Sequence, residues 1–348
     1  MTSGLPKKLF ITMYPLLTSM ASNDNSPGVD IIIPVCNGFD FIDKCIDSIE
    51  KQSYTNYKVY FVVSVDSADG SINKLNDIAT NNPNVSVILR DVNTSVGYAR
   101  NLGLNKSSNE LVWFFDIDDY VYPTFLEEMV KITIEERADV VFCNFFLEHN
   151  EKIPEIPAKD YTVKRYDNYT AVGLFDELPT FPWAHIQRRS LFENGQIYYY
   201  DVPTSEDLDQ IIRELSLSKS VCYYNKPLYV YYKRKTSLTK TNRQLDGISI
   251  ETIARRTIPF VKKYSYENYE NFRLRILQRL MRQIAFVKYK EYSRIYKDSI
   301  AHELIEEMSS KTKEVIVFSH SKFLYYLILF PFTHWLWDKK GGLWRMIK

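Results

Sequence analysis

From Val29 onward, two apolar rhythms alternate along the chain. Compact, largely apolar runs, "VDIIIPV" (29–35), "YKVYFVVSV" (57–65), "NVSVIL" (84–89), "ELVWFF" (110–115) and "ADVVFCNFFLE" (138–148), have the character of buried strands. Between them lie segments with helical spacing. In "FDFIDKCIDSIEKQ" the positions Phe39, Ile42, Cys45, Ile46 and Ile49 form a single stripe, which predicts a helix with one buried side. "SINKLNDIATN" (71–81), "SVGYARNLGLNKS" (95–107) and "PTFLEEMVKITIEER" (123–137) read the same way, with Asn93 to Ser95 supplying capping groups and Pro123 standing near a helix start. Strands alternating with helices at this spacing imply parallel crossovers and a layered α/β sheet, whose ligands bind beyond the carboxyl ends of the strands.

Outside that region the rhythm changes. Residues 1–28 read as a loosely attached arm, "PKKLFITMYPLLTSM", which carries no secretory cleavage pattern, followed by the turn-rich linker "ASNDNSPG". Residues 150–240 are less regular and more aromatic, and from Gln244 to about Ser310 charged and apolar positions interleave as in helices. The sequence shows neither internal repeats nor low-complexity tracts. Charge adds only an exclusion: 44 basic residues against 43 acidic ones leave no global field of the kind that marks a nucleic-acid binder. Cys36, Cys45, Cys143 and Cys222 lack the spacing of a zinc site or disulfide framework and are expected to be reduced thiols.

Candidate chemistry concentrates in "FFDIDDYVYP", where Asp116, Asp118 and Asp119 follow the fourth strand. Carboxylates this close raise one another's proton affinity unless a cation or donors offset the repulsion. Asp116 and Asp118, flanking Ile117, can offer hard oxygen ligands to Mg²⁺ or Mn²⁺ while leaving positions for phosphate oxygens and water. The residue types alone also admit a simpler role, with Asp118 and Asp119 capping the next helix.

The ordered set "IIIPVCNGFDFIDKCIDSI", "VSVDSADGS", "NTSVGYARNLGL" and "FFDIDDYVYP" resembles the family 2 glycosyltransferases of GT-A fold across roughly residues 29–240. The resemblance implies a Rossmann-like α/β/α domain binding a nucleoside diphosphate sugar. It gives Asp116 a role toward ribose or sugar, Asp116 and Asp118 the roles of metal ligands, and Asp119 a supporting one. Pro34, Val35 and Asn37 fall where the family packs its uracil. Asp66, with Asp69 second, is the implied base contact, although "SVDSAD" stands where the family commonly has "DDGSTD". Arg100, in the family's "ARN" segment, is expected to meet phosphate or to brace the acidic loop, because a guanidinium pairs well with oxyanions.

Further along, "PTSEDLDQIIREL" resembles the family's "ED" motif and makes Asp207 the implied base, with Glu206 orienting it or contacting acceptor hydroxyls. "FPWAHIQRRSLF" suggests Trp183 and His185 as acceptor contacts, with a core tryptophan and a surface histidine as the alternative. Tyr232, Lys233 and Arg234 are candidate diphosphate contacts, or a solvated basic loop. The absence of "QxxRW" favours a non-processive enzyme adding one sugar.

The expected organisation is therefore an arm and linker (1–28), a transferase domain (29–240, divided into a nucleotide-sugar half 29–122 and an acceptor half 123–240), a helical extension (241–315) and a tail (316–348). The tail "KFLYYLILFPFTHWLWDKKGGLWRMIK" is too short an apolar run for a comfortable span and has the aromatic and basic flanks of a segment lying in the membrane interface, with a C-terminal helix folded onto the core as the alternative. A lipid-linked or glycan acceptor, and a location on the inner face of a bacterial cytoplasmic membrane, follow as expectations. A Mg²⁺-dependent nucleotidyltransferase or phosphohydrolase, or a non-catalytic nucleotide-sugar-binding module, would use the same acidic residues.

Overall fold

The computed structural model describes residues 10–14, 26–92, 94–150, 152–175, 177–193, 197–202, 204–234, 243–273 and 275–276. The interfacial tail and most of the helical extension expected after residue 276 lie outside these residues.

The β-branched run becomes strand β2 (Val29–Val35), with β3 (Tyr57–Ser64) and β4 (Val85–Arg90) added in parallel on one side and β5 (Leu111–Phe114) in parallel on the other. Helices α1 (Phe39–Glu50), α2 (Ser71–Asn81) and α3 (Val96–Lys106) make the crossovers. Ser95 caps α3 by accepting from the Tyr98 amide at 3.1 Å. The chain runs outward from β2 through β3 and β4, then returns to β5 on the other side. That reversal opens a crevice at the carboxyl ends of β2 and β5.

Beyond β5 the sheet departs from the parallel pattern. The chain after the acidic loop contributes β6 (Tyr120–Val121), α4 (Phe125–Glu135), β7 (Val140–Glu148), β8 (Tyr161–Tyr166), α5 (Asn168–Gly173), β9 (His185–Arg188), α6 (Glu206–Leu217) and β10 (Val221–Tyr232). Strand β9 lies antiparallel between β5 and β7, β10 pairs parallel to β7, and β8 pairs antiparallel to β10. The arm expected to be loose instead supplies β1 (Phe10–Tyr14), antiparallel to β8 at the sheet edge, which completes the order β1-β8-β10-β7-β9-β5-β2-β3-β4 with β6 on β10.

Both faces of the sheet are covered, which explains why β2 is apolar apart from Asp30. Ile31, Ile33, Trp113, Phe125 and Tyr229 pack with α1 and α4 on one face. Ile32, Phe114, Leu208, Ile211 and Ile250 pack with α3, α6 and α7 (Arg243–Tyr264) on the other. Each fully buried side chain of this size stabilises the fold by roughly 1.5–3 kcal/mol. Helix α3 approaches the sheet closely: a Cβ on Gly103 would sit 2.5 Å from Ile32 Cγ2. The "RRS" segment does structural work at the opposite end of the sheet, where Arg189 Nη2 donates to the buried Asp30 carboxylate at 2.7 Å and Arg189 Nε to the Asn109 carbonyl at 2.6 Å.

Candidate active site

The acidic loop leaves β5 at the crevice, and its three aspartates face three different partners. Asp119 turns inward, 4% exposed, and accepts from Tyr229 Oη at 2.8 Å and the Tyr232 amide at 2.9 Å. Burial, with Asp116 and Asp118 adding to it, pushes its carboxyl well above the ordinary range. Asp119 therefore anchors the loop to β10. The capping alternative also fails: the residue before α4 is Thr124, and no side chain caps that helix.

Asp116 and Asp118 remain partly open, at 31% and 37% side-chain exposure, and each meets an arginine. Arg100, buried on α3, donates from Nη2 to Asp116 Oδ1 at 3.3 Å and from Nη1 to Glu206 Oε1 at 2.8 Å. Its guanidinium lies 5.1 Å from the Tyr199 ring centroid. Burial opposes its charge, and Tyr199, Asp116, Glu206 and Asp207 together outweigh that and hold it above its ordinary proton affinity. Burial also raises the Asp116 carboxyl, with Arg100 working against the shift. Arg234 donates from Nε to Asp118 Oδ2 at 3.1 Å and from Nη2 to the Asp118 carbonyl at 2.7 Å, and its guanidinium lies 4.3 Å from the Phe41 ring centroid.

The first acidic loop is thus joined to the start of α6, ninety positions along the sequence, by one guanidinium. Glu206 opens α6 and faces Arg100, which leaves the second residue, Asp207, as the half-buried carboxylate whose charge also reaches Arg100 and Tyr199. Ser205 just before them is left-handed at φ 60°, a conformation costly for a side chain other than glycine and one that collects at functional sites. Asn101 fixes the approach to α6 by donating to the Tyr199 carbonyl at 2.8 Å and accepting from the Tyr199 amide at 2.9 Å. Gly97 lets the elements meet, since a Cβ there would lie 2.9 Å from Tyr199 Cβ.

On the nucleotide side, the loops after β2 and β3 are laced together. Asn37, left-handed at φ 51°, accepts at Oδ1 from the Ala68 amide at 3.0 Å, and its own amide donates to Ser67 Oγ at 3.2 Å. Pro34 and Val35 end β2 beneath this loop. Asp66 is exposed and accepts from Ser64 Oγ. Asp69 is committed to the scaffold: it accepts from the Phe39 amide at 2.8 Å, the Ser71 amide at 3.0 Å and Ser71 Oγ at 2.6 Å. The two loops also touch the acidic loop, because a Cβ on Gly38 would meet Ile117 Cδ1 at 3.1 Å.

Two expected acceptor contacts are corrected. His185 is fully buried, with Nδ1 2.9 Å from the Phe181 carbonyl and Nε2 3.4 Å from the buried Glu214 carboxylate. It is neither a surface residue nor within reach of a substrate. Trp183, 3% exposed, stacks on Phe181 at 4.8 Å and on Tyr229 at 4.5 Å, and its carbonyl accepts from Trp113 Nε1 at 3.0 Å. Its indole is core. Of the candidates after β10, Arg234 reaches Asp118 of the acidic loop, Tyr232 gives its amide to Asp119, and the Lys233 amide donates to the Glu148 carbonyl at 2.8 Å. A cavity of ≈ 190 Å³ lined by Phe41, Lys44, Asp118, Tyr232 and Arg234 opens beside the loop.

The donor set bears on the metal. Asp116 and Asp118 present hard oxygens on one loop, Asp119 is turned away, and among the described residues no cluster of three acidic, histidine or cysteine side chains could hold an ion. Such a pair fits a divalent cation whose remaining ligands come from a diphosphate and water.

Comparison with known proteins accords with this geometry. Residues 30–195 match the family model described as glycosyl transferase family 2. The glycosyltransferase GlyA of Streptococcus pneumoniae serotype 4 is 30% identical over 226 residues, covering 61% of this chain and 31% of that one. The chain spans 63% and 64% of the lengths of two further bacterial relatives. Among solved structures, S. aureus TarS 1-349 in complex with UDP superposes with a TM-score of 0.56 at 16% identity, covering 81% of this chain and 78% of that one. The mannosyltransferase PcManGT from Pyrobaculum calidifontis, in complex with GDP-Man and Mn²⁺, gives 0.51 at 16% identity, covering 90% and 88%. The fold is the layered GT-A arrangement.

Proposed function

Because residues 30–195 make this chain a member of glycosyl transferase family 2, we propose that it moves one sugar, with inversion, from a nucleoside diphosphate donor, a UDP-hexose or UDP-N-acetylhexosamine, to a hydroxyl of a surface glycan. The observation that carries this reading is the Arg100 bridge, which draws the acidic loop after β5 and the acidic start of α6 to opposite ends of one buried guanidinium. Donor-side and acceptor-side carboxylates are then held in a single site.

In this reading Asn37 and Asp66 receive the base at the laced loops, and Asp116 and Asp118 hold Mn²⁺ or Mg²⁺ when the donor is bound. The cation supplies neutralisation of the diphosphate's negative charge. Asp207 takes the proton from the acceptor hydroxyl as its oxygen bonds to the anomeric carbon and the bond from that carbon to the phosphate oxygen breaks, releasing UDP. Glu206 is occupied by Arg100 and orients the helix start, leaving base work to its neighbour. Arg234 is near enough to the acidic loop to transfer its donors to the diphosphate. The C-terminal tail is proposed to hold the enzyme on the inner face of the membrane. Its support is the sequence alone, and among the described residues no helix is long and apolar enough to cross a membrane.

Calorimetry with UDP, with and without Mn²⁺, and a screen of UDP-sugars for Mn²⁺-dependent release of UDP test the reading together. Asp118→Asn is expected to lose the Mn²⁺ dependence of UDP binding. Asp207→Asn is expected to keep UDP affinity and to lower transfer by a factor on the order of 10²–10⁴. Release of inorganic diphosphate instead of UDP, or wild-type transfer by Asp207→Asn, would refute the assignment.

A further inference from the structure

We propose that Phe181 is a stacking platform for a pyranose ring of the acceptor, a role that rests on reading the chain as a glycosyltransferase. Phe181 ends the connection from α5 to β9. Strand β9 starts at His185 and runs antiparallel between β5 and β7, so the turn preceding it lies at the carboxyl ends of those strands, the same rim that carries Asp116 and Asp118. The residues assigned to the nucleotide lie on the β2–β3 side of the acidic loop. Phe181 lies on the other side, where the chain enters β9 between β5 and β7.

The ring is held in an unusual way for an exposed apolar group. It is 42% exposed, yet it stacks within 3° of parallel on the buried Trp183 indole, with centroids 4.8 Å apart. Trp183 in turn stacks on Tyr229 at 4.5 Å and 12°, and the Tyr229 hydroxyl donates to Asp119 at 2.8 Å. The edge of Phe145 meets Phe181 at 5.7 Å and 86°, fixing the ring from the side. Its backbone is pinned as well: the Phe181 carbonyl accepts from the Ala184 amide at 3.0 Å and lies 2.9 Å from His185 Nδ1. An aromatic stack therefore runs from solvent to the acidic loop and presents one immobilised ring outward.

An aromatic face supported in this manner suits the apolar C–H face of a pyranose, whose hydroxyls then project sideways toward polar partners. The contact loses little conformational entropy because the ring is already fixed. Trp183, the stacking residue suggested by the sequence, supports this platform from beneath, and His185 fixes the turn that presents it.

Saturation-transfer NMR on the full chain tests this, with maltose, cellobiose, lactose, chitobiose and mannobiose as probes at millimolar concentration. The wild type is expected to saturate ring C–H protons of at least one disaccharide. Phe181→Ala and Phe181→Leu are expected to weaken that binding by about five- to tenfold, while Phe181→Tyr and Phe181→Trp retain it. Leucine keeps the apolar bulk without the ring, so loss in Phe181→Leu at an unchanged melting temperature separates stacking from support of the fold. No saturation of any disaccharide by the wild type, or equal saturation by wild type and Phe181→Leu, would overturn the platform. UDP titration of the wild type keeps the two readings distinguishable. UDP binding without ring contacts at Phe181 removes the platform alone, whereas failure to bind UDP in the presence of Mn²⁺ removes the donor reading from which it starts.

Discussion

Replacing Arg100 by methionine removes the guanidinium that links the acidic loop to the start of α6. The guanidinium is 4% exposed and holds Glu206 at 2.8 Å and Asp116 at 3.3 Å. Breaking a buried ion pair from one side costs about 3–5 kcal/mol, because the remaining charge is left without its partner. Here the two carboxylates keep 15% and 31% of their side-chain exposure, so water relieves part of the penalty and the lower end, about 3 kcal/mol, is the working figure. For a chain of this size that lowers the melting temperature by roughly 5 °C. Arg100→Lys restores the charge but not the fork, so a single ammonium serves one carboxylate and recovers part of the loss. Glu206→Gln supplies the decisive arm, since it removes one of the two acids that repel once Arg100 is gone. It should destabilise the wild type yet be neutral or stabilising in Arg100→Met, with a coupling of about 1–3 kcal/mol in a double-mutant cycle read by urea titration. Additive effects, or a melting temperature for Arg100→Met within experimental scatter of the wild type, would refute the bridge. Because Arg100 works against the upward shift of Asp116, the same substitution should move the loss of cation-dependent UDP binding to higher pH.

The free thiols give a second test. Cys45 and Cys143 are buried with proton affinities pushed far up by desolvation, and burial pushes Cys222 to about 12, whereas Cys36 is exposed between Val35 and Asn37 in the nucleotide loop. Maleimide at neutral pH is expected to label one cysteine per native chain, at Cys36, and UDP with Mn²⁺ should slow that labelling; equal rates with and without UDP would count against the nucleotide loop. A third test concerns Asp69: burial is the largest single influence and pushes its carboxyl up, but donation from Ser71 Oγ and from the Phe39 and Ser71 amides together outweighs it and holds the carboxyl below its ordinary 3.8. Its stabilisation is fully present above 3.8 and is lost as pH falls through the lower folded value, so the gap in melting temperature between wild type and Asp69→Asn should close on acidification below 3.8. A gap independent of pH would show that the carboxylate's charge does not matter there.

What the chain discloses about itself depends on the range of the interaction. Elements β2 to α4 were legible because each carries its own rhythm, a β-branched run such as Ile31–Ile33 or a stripe such as Ile42, Cys45 and Ile49. Asp116, Asp118, Arg100 and Glu206 were legible as motif residues, but their pairing was not, since nothing local to Arg100 signals a partner 106 positions away. The same holds for Asp119, whose donor Tyr229 is 110 positions distant. Strand β1 was missed because its five residues, "FITMY", stand beside prolines and carry no alternation of their own; pairing with β8 supplies what the sequence lacks. Trp183 and His185 were misplaced for a related reason. An aromatic or imidazole side chain suits a sugar or a core equally well, and only the packing of Phe181, Tyr229 and Glu214 around them decides. Phe181 could not be singled out among 20 phenylalanines.

The departure at "SVDSAD" acquires a physical sense from the same contacts. Where the family commonly has adjacent acids, this chain has Ser64, whose hydroxyl donates to Asp66. A hydroxyl donor orients the carboxylate it touches, whereas a neighbouring carboxylate would repel it. Asp69, the other acid of the segment, is spent on the starts of α1 and α2. One oriented carboxylate is therefore left at the mouth of the loop. In the proposed reading the substitution keeps a single oriented acceptor for a uracil imide without a second acid beside it. The altered segment then remains compatible with donor binding in that reading, and Arg100 and Arg234, which meet Asp116 and Asp118, are positive charges available to a diphosphate.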